Sequence, residues 1–149
     1  MAADGLIVPI PPSALDFASS VQFWSLFSDL ATGLGKYMHQ PKLFDFTRIL
    51  FTRVDAADSA ATAVKAWIRQ AYGKRVLDIE IPKSTVAMGA AAEFGTVYDL
   101  NPSDVDSRTY RRMRDAFDEF VMTIDGMLLS RWQGQDSTNI EGERALQTA

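Results

Sequence analysis

The chain contains no cysteine, which excludes a disulfide framework, a thiolate metal site and a cysteine nucleophile. It has one histidine, His39, in the polar stretch 36–42. No neighbouring carboxylate there completes a triad. Long hydrophobic runs are absent: nothing approaches the roughly 20 apolar residues needed to span a bilayer. The run Leu6 to Ile10 has no basic segment before it and is too short for a secretory signal. A basic excess is absent too. Lys and Arg number 15 against 19 Asp and Glu, for a net charge of −4, whereas free-standing nucleic-acid binders are usually basic. Any DNA contact therefore needs a local patch. What remains is ordinary for a soluble domain: 149 residues, 47% hydrophobic and 23% charged, enough for one domain with a core. A reducing, cytoplasmic location fits this composition.

Leu6-Ile7-Val8-Pro9-Ile10 is a short run rich in branched residues that stops at Pro11-Pro12, and it is predicted to be a buried strand. Ser13, with Asp16 three residues on, predicts a helix start. Phe17, Val21, Trp24, Phe27, Leu30 and Leu34 then recur at helical spacing. Gly33 and Gly35 are expected to end that helix, and Pro41 bars its continuation. Phe46 to Val54 is the second expected strand. Val64, Trp67, Ile68 and Ala71 mark the next helix, stopped by Gly73. Arg75 to Ile81 is the third strand, ended by Pro82. Ser84 to Phe94 is a short alanine-rich helix, and 95–106 a loop. Tyr110, Met113, Phe117, Phe120, Val121, Ile124, Met127 and Leu128 keep a helical stripe over five turns. Beyond Trp132 the composition turns polar, and 133–149 is expected to be a frayed or disordered tail. The trio of Trp24, Phe27 and Trp67 is expected in the core.

This alternation predicts an α/β fold with parallel strands and right-handed crossovers. Three short strands make a thin sheet, part of a larger doubly wound one with flanking helices. A bare sheet edge invites pairing, so a homodimer or larger oligomer is expected.

Three segments, in order, resemble the ParA/MinD branch of the P-loop NTPases, and its ParA side most closely. The first is Ala2 to Pro12 continuing through Leu15-Asp16-Phe17-Ala18-Ser19. The second is Ile49-Leu50-Phe51-Thr52-Arg53-Val54-Asp55, similar to a family strand ending in Thr-x-x-Asp. The third is Asp78 to Ser84 with the downstream run 90–95 and Tyr98-Asp99. It is similar to the family's Ile-Pro-Arg-Asn run, although Lys83-Ser84 stands where Arg-Asn is common. The resemblance covers about residues 2–128 and makes 1–132 the C-terminal portion of a ParA-like, Rossmann-like ATPase domain.

The resemblance implies a DNA-partition ATPase that uses ATP and Mg²⁺ to switch between monomer and DNA-bound dimer. A centromere-binding ParB-type partner stimulates hydrolysis, and the protein is cytoplasmic and nucleoid-associated. It places Thr52, Arg53, Asp55, Ile81, Pro82 and Lys83 beside the adenine. It assigns nonspecific DNA binding to Arg69, Lys74, Arg75, Lys83, Arg108, Arg111, Arg112 and Arg114. The four arginines at 108–114 sit where cations oppose a helix dipole, so helix stability does not explain them. A phosphate-binding loop is not found: Gly33-Leu34-Gly35-Lys36-Tyr37 lacks the upstream glycine and the hydroxyl residue. The resemblance puts the family's signature lysines and Walker B aspartate before Met1. This chain alone is therefore expected not to hydrolyse ATP, with no catalytic residue, no metal site, and ATP or ADP held poorly. Asp78 and Glu80 share a strand face but nothing converges on them as an acid/base pair. The alternative is a non-enzymatic module that oligomerises through its open sheet edge. A MinD-like membrane protein is disfavoured, because 133–149 is too polar for an amphipathic membrane helix.

Overall fold

A computed structural model describes residues 4–38 and 44–147, with side chains described for 4–37 and 44–133. Its elements are β1 (Gly5–Ile10), α1 (Ala14–Met38), β2 (Phe46–Val54), α2 (Ser59–Tyr72), one 3₁₀ turn (Gly73–Arg75), β3 (Val76–Pro82), α3 (Thr85–Ala92) and α4 (Ser107–Gln147). The strands form one sheet in the order β1-β2-β3, all parallel. Gly5 lies opposite Phe46 and Ile10 opposite Phe51. Phe51 lies opposite Glu80 and Val54 opposite Pro82, with irregular register between. At Gly5 the lack of a side chain matters, because a Cβ there would fall 2.2 Å from the Phe46 ring.

The crossovers are helical because each connection carries its own start signal. Ser13 Oγ accepts from the Asp16 amide at 3.1 Å and donates to the Asp16 carboxylate. Asp58 Oδ1 accepts from the amides of Ala60 and Ala61 at 2.9 and 3.2 Å, satisfying two of the N–H groups a helix start leaves over. Gly73 closes α2 at φ 54, with its N–H on the Arg69 carbonyl, a left-handed conformation that glycine adopts without penalty. Consecutive strand order with right-handed crossovers puts both helices on one face of the sheet. Ile10, Ile49, Phe51, Val54 and Val76 from the strands and Val64 and Ile68 from α2 form the main buried cluster. Phe17 and Trp24 of α1 pack against it, and the Trp24 and Tyr72 rings meet at 5.7 Å. The opposite pleat buries Leu50, Leu77, Ile79 and Ile81, and Ala90, Val97 and Met113 from later elements are buried as well.

Four expectations need correction. Gly33 and Gly35 do not end α1, which runs to Met38. A helical glycine costs only about 1 kcal/mol, less than neighbouring turns recover. Within α1 the apolar spacing does not describe one buried stripe: Phe17, Trp24 and Phe27 are half-buried, while Val21, Leu30 and Leu34 are exposed. Trp67 is 52% exposed and not a core residue. The polar segment after Trp132 is helical in its backbone to Gln147. It contains no proline, and lack of an apolar stripe argues against packing, not against helical backbone. His39 lies outside the described residues.

The chain divides into two compact units, Met1–Phe117 and Asp118–Ala149. Within the second, Thr123 and Ser130 donate their hydroxyls to the carbonyls of Glu119 and Gly126 at 2.9 and 2.8 Å. Val121, Met122, Leu129 and Trp132 are exposed there.

Candidate functional site

The carboxyl ends of parallel strands are where open α/β sheets bind ligands. All three described strands end around one shallow cavity of about 220 Å³, lined by Pro11, Pro12, Ser13, Asp16, Arg53, Asp55, Asp58, Ala61 and Lys83. The wall after β1 is apolar, since Pro11 and Pro12 follow the strand directly. The rim after β2 is charged. Arg53 is exposed and takes φ 54, a left-handed backbone that costs an ordinary residue roughly 1–2 kcal/mol. Strain of this kind gathers where a side chain must be aimed. Arg53→Gly is accordingly expected to stabilise the fold by about 1 kcal/mol, read as a higher urea midpoint. No gain would mean that the turn does not strain Arg53.

Asp55 and Lys83 link the ends of β2 and β3. Lys83 Nζ stands 3.9 Å from Asp55 Oδ2, and the Lys83 amide donates to the Val54 carbonyl at 2.9 Å. Asp55 Oδ1 accepts from the Ala57 amide at 3.0 Å, so this carboxylate is oriented by its own turn. Both side chains are about half exposed, so the pair positions charge more than it stabilises.

Of the six expected adenine-bordering residues, Arg53, Asp55 and Lys83 line the cavity. Ile81 is buried, while Thr52 and Pro82 are half-buried; Thr52, Ile81 and Pro82 are not in the lining. Ile81 belongs to the hydrophobic pleat and is excluded from direct contact by packing. The sequence did not single out Pro11, Pro12, Ser13 and Asp16 as site residues. The signal was available, because a strand running into Pro-Pro must end at the same rim as its parallel neighbours.

The eight basic residues expected to meet DNA are spread over both ends of β3, α2 and the start of α4. Lys74 and Arg75 precede β3, and Lys83 follows it; seven strand residues put these ends roughly 23 Å apart. Arg69 is held by Glu80, at 3.3 Å, with its guanidinium 5.1 Å from the Phe51 ring. Glu80 also takes Lys65 Nζ at 2.8 Å. That settles the Asp78/Glu80 pair: Glu80 is the hub of a salt bridge to α2, and Asp78 is exposed. Arg114 is half-buried, 4.3 Å from the Tyr98 ring, and donates to the Tyr110 hydroxyl at 3.1 Å. Arg108, Arg111 and Arg112 are exposed. Arg112 Nη2 donates to the Lys83 carbonyl at 3.4 Å, which brings the start of α4 to the cavity rim. Arg108 lies one turn before Arg112 on the same helix face.

Asp106 makes this arginine-rich start possible. Its Oδ1 accepts from the Thr109 amide at 2.8 Å, an acidic cap offsetting cations that oppose the dipole. The hydrogen bonds from the Thr109 side chain and backbone hold the Asp106 carboxyl below the usual carboxylate range. Those from Thr96 do the same for Asp99. A carboxyl with a lowered folded pKa contributes stability that is complete above its unfolded pKa. That contribution is lost as pH falls through the folded value. The Asp106 cap and the Asp99 turn are thus expected to persist below the pH at which free aspartate protonates, as Cγ chemical shifts would record. Midpoints at the free-aspartate value would contradict the cap geometry.

A larger groove of about 480 Å³ lies at the opposite, amino end of the strands. Trp24, Phe27, Phe44, Arg48 and Arg75 line it, and the Phe27 and Phe44 rings stack at 5.9 Å. Asp45, Thr47, Arg48 and Arg75 give this groove polar groups as well, but open parallel sheets bind ligands at the carboxyl ends of their strands, not at the amino ends.

The arrangement suits a flat molecule better than a phosphate chain. Pro11 offers a half-buried apolar surface with Pro12 buried behind it, and Arg53 and Lys83 offer cations at its edge. The glycine-containing string 33–37 lies inside α1, where its amides serve the helix, so it offers no phosphate cradle. Among the described residues no group of three or more His, Asp or Glu stands ready to hold a metal ion. No helix among them is long and apolar enough to cross a membrane.

Fold and site together define a three-stranded parallel α/β layer of the Rossmann-like kind, with a charged rim at its strand ends. No family model matches the chain. Its sequence is similar to that of a protein of Rhizobium rhizogenes named "Putative replication protein A", 24% identical over 131 residues, which is 88% of this chain and 32% of that protein. The chain thus spans about a third of the length of this curated relative.

Proposed function

We propose that the chain is the DNA-contacting, adenine-bordering part of a partition ATPase of the ParA type, which acts in replicon maintenance. The observation that carries this reading is the junction at Lys83. One residue closes the ligand-type cavity at the strand ends and accepts, through its carbonyl, a hydrogen bond from the arginine-rich start of α4. A nucleotide base on the cavity and a DNA backbone on Arg108, Arg111 and Arg112 would then share one structural element. Occupancy of one would be felt at the other. The similarity to a protein named for replication supports a role on a replicon.

In this reading ATP and Mg²⁺ are completed by residues outside the described site, because the triphosphate has no cradle here. The base rests against Pro11, with Arg53 and Lys83 at its edge. A ParB-type centromere-binding protein is the natural partner of such an ATPase. The exposed apolar surface of α1 favours the second reading, a non-enzymatic module that works by self-association.

Retention of the full chain on duplex DNA of unrelated sequences decides between them. The first reading expects weak, sequence-independent binding at low salt that falls steeply as salt rises. No binding at about 50 mM salt, the low end of the range over which such contacts act, would leave the interaction module.

A further inference from the structure

α1 has a second apolar side that the described residues leave exposed. Leu15, Phe23, Leu26, Leu30, Leu34 and Tyr37 are 78, 41, 63, 60, 39 and 90% exposed. At 3.6 residues per turn they fall within one arc of about 100°, away from the Phe17 and Trp24 side that packs on the sheet. The helix has only three charged residues, Asp16, Asp29 and Lys36. Asp29 and Lys36 lie outside this arc, and Asp16 at its margin is bonded to Ser13. Scattered exposed leucines mean nothing, but a continuous uncharged stripe has the composition of an interface core. The stripe is about 33 Å long from Leu15 to Tyr37. Through Phe23 it joins a groove of about 270 Å³ along β1, lined also by Val8, Pro9 and Ile10.

We infer that this face is a homodimer interface, in which α1 packs antiparallel against α1 of a second copy about a two-fold axis at Leu26. The spacing of the stripe identifies the occupant. Leu26 lies midway between the two ends of the stripe, Leu15 and Tyr37. About that point Phe23 and Leu30 are nearly symmetric as well. An antiparallel copy brings Leu26 against Leu26, Leu15 against Tyr37 and Phe23 against Leu30, the self-complementarity an isologous contact requires. The residues 23, 26, 30 and 37 also keep the three-and-four spacing of helix-on-helix seams. With a helix diameter of about 10–12 Å, the stripe covers roughly 350 Å² per chain before the groove along β1 is added. Two copies then approach the roughly 1,000 Å² that a specific interface needs. Strand-to-strand joining at β1 is the weaker alternative, because Pro9 cannot donate there and prolines blunt an edge.

The absence of native cysteine gives a clean test on the full chain. Leu26→Cys is expected to form an intermolecular disulfide under mild oxidation at least about tenfold faster than Met88→Cys, an equally exposed position (61%) on α3. Sedimentation equilibrium of the unmodified chain should give twice the 16.5 kDa chain mass. Leu26→Glu combined with Leu30→Glu should raise the dimer dissociation constant about 100-fold or more. Helical circular dichroism should stay unchanged, since neither side chain is buried in the single chain. A monomer at about 100 μM, a dimer insensitive to the double substitution, or equal crosslinking at 26 and 88 would each overturn the inference. A loss of DNA retention without loss of the dimer would count against the proposed function and leave this interface standing.

Discussion

Phe51→Ala is expected to lower the stability of the chain by about 3–5 kcal/mol, the usual cost of emptying an aromatic site in a closed core. Phe51 is fully buried. It sits mid-sheet opposite Glu80 and belongs to the cluster with Ile49, Val64 and Ile68. Its ring also carries the Arg69 guanidinium at 5.1 Å. Substitution would leave a cavity bounded by the sheet and α2 that neither can fill without breaking register. Domains of this size hold about 5–15 kcal/mol in total, so the variant should be partly unfolded at mild urea concentrations. Trp67→Ala is the contrast: larger by volume, 52% exposed, and expected to cost about 1 kcal/mol or less. Equal losses at the two positions, measured by urea denaturation, would mean that the core is not where the fold places it.

The second large effect concerns DNA. Replacing Arg108, Arg111 and Arg112 together by alanine is expected to reduce the slope of log affinity against log salt by about 2–3, at about 0.9 for each phosphate no longer neutralised. Affinity at low salt should fall at least about tenfold. The geometry also says which cations leave the slope unchanged. Arg69 is committed to Glu80, Arg114 lies against Tyr98 and Tyr110, and Lys74 and Arg75 sit at the far end of β3. Alanine at Lys74 and Arg75 should therefore change little. A slope that depends equally on both groups would count against the proposed role of Lys83 as the junction.

The strands were legible because their apolar runs are short and punctuated by prolines. Pro11-Pro12 and Pro82 mark two of the three strand ends that meet at the cavity, and Phe46–Val54 matches the sequence expectation in both bounds. Parallel order followed from alternation alone. What the sequence hid was direction around a helix. Val21, Leu30 and Leu34 have the same helical spacing as Phe17, Trp24 and Phe27, and only the position of the sheet separates the covered side from the bare one. Periodicity reports a helix but not how many of its sides find a neighbour. The basic residues misled for a related reason. Charge can be counted along a chain, but whether a guanidinium is available depends on what folds beside it. Glu80, eleven residues from Arg69, and Tyr98, sixteen from Arg114, are remote in sequence.

Consecutive strand order has one more consequence. Because β1, β2 and β3 follow one another without reversal, both crossovers lie on the same side, and no two helices splay apart within this sheet to make a deep cleft. The rim therefore grips from beneath, not from two flanks. In the proposed function, a planar guest resting on Pro11 would keep one broad surface in water, so its departure would be fast and its occupancy would follow concentration closely. Such a ledge suits a molecule that must be sampled and released often, and it makes residence time, more than equilibrium affinity, the quantity any added wall would change.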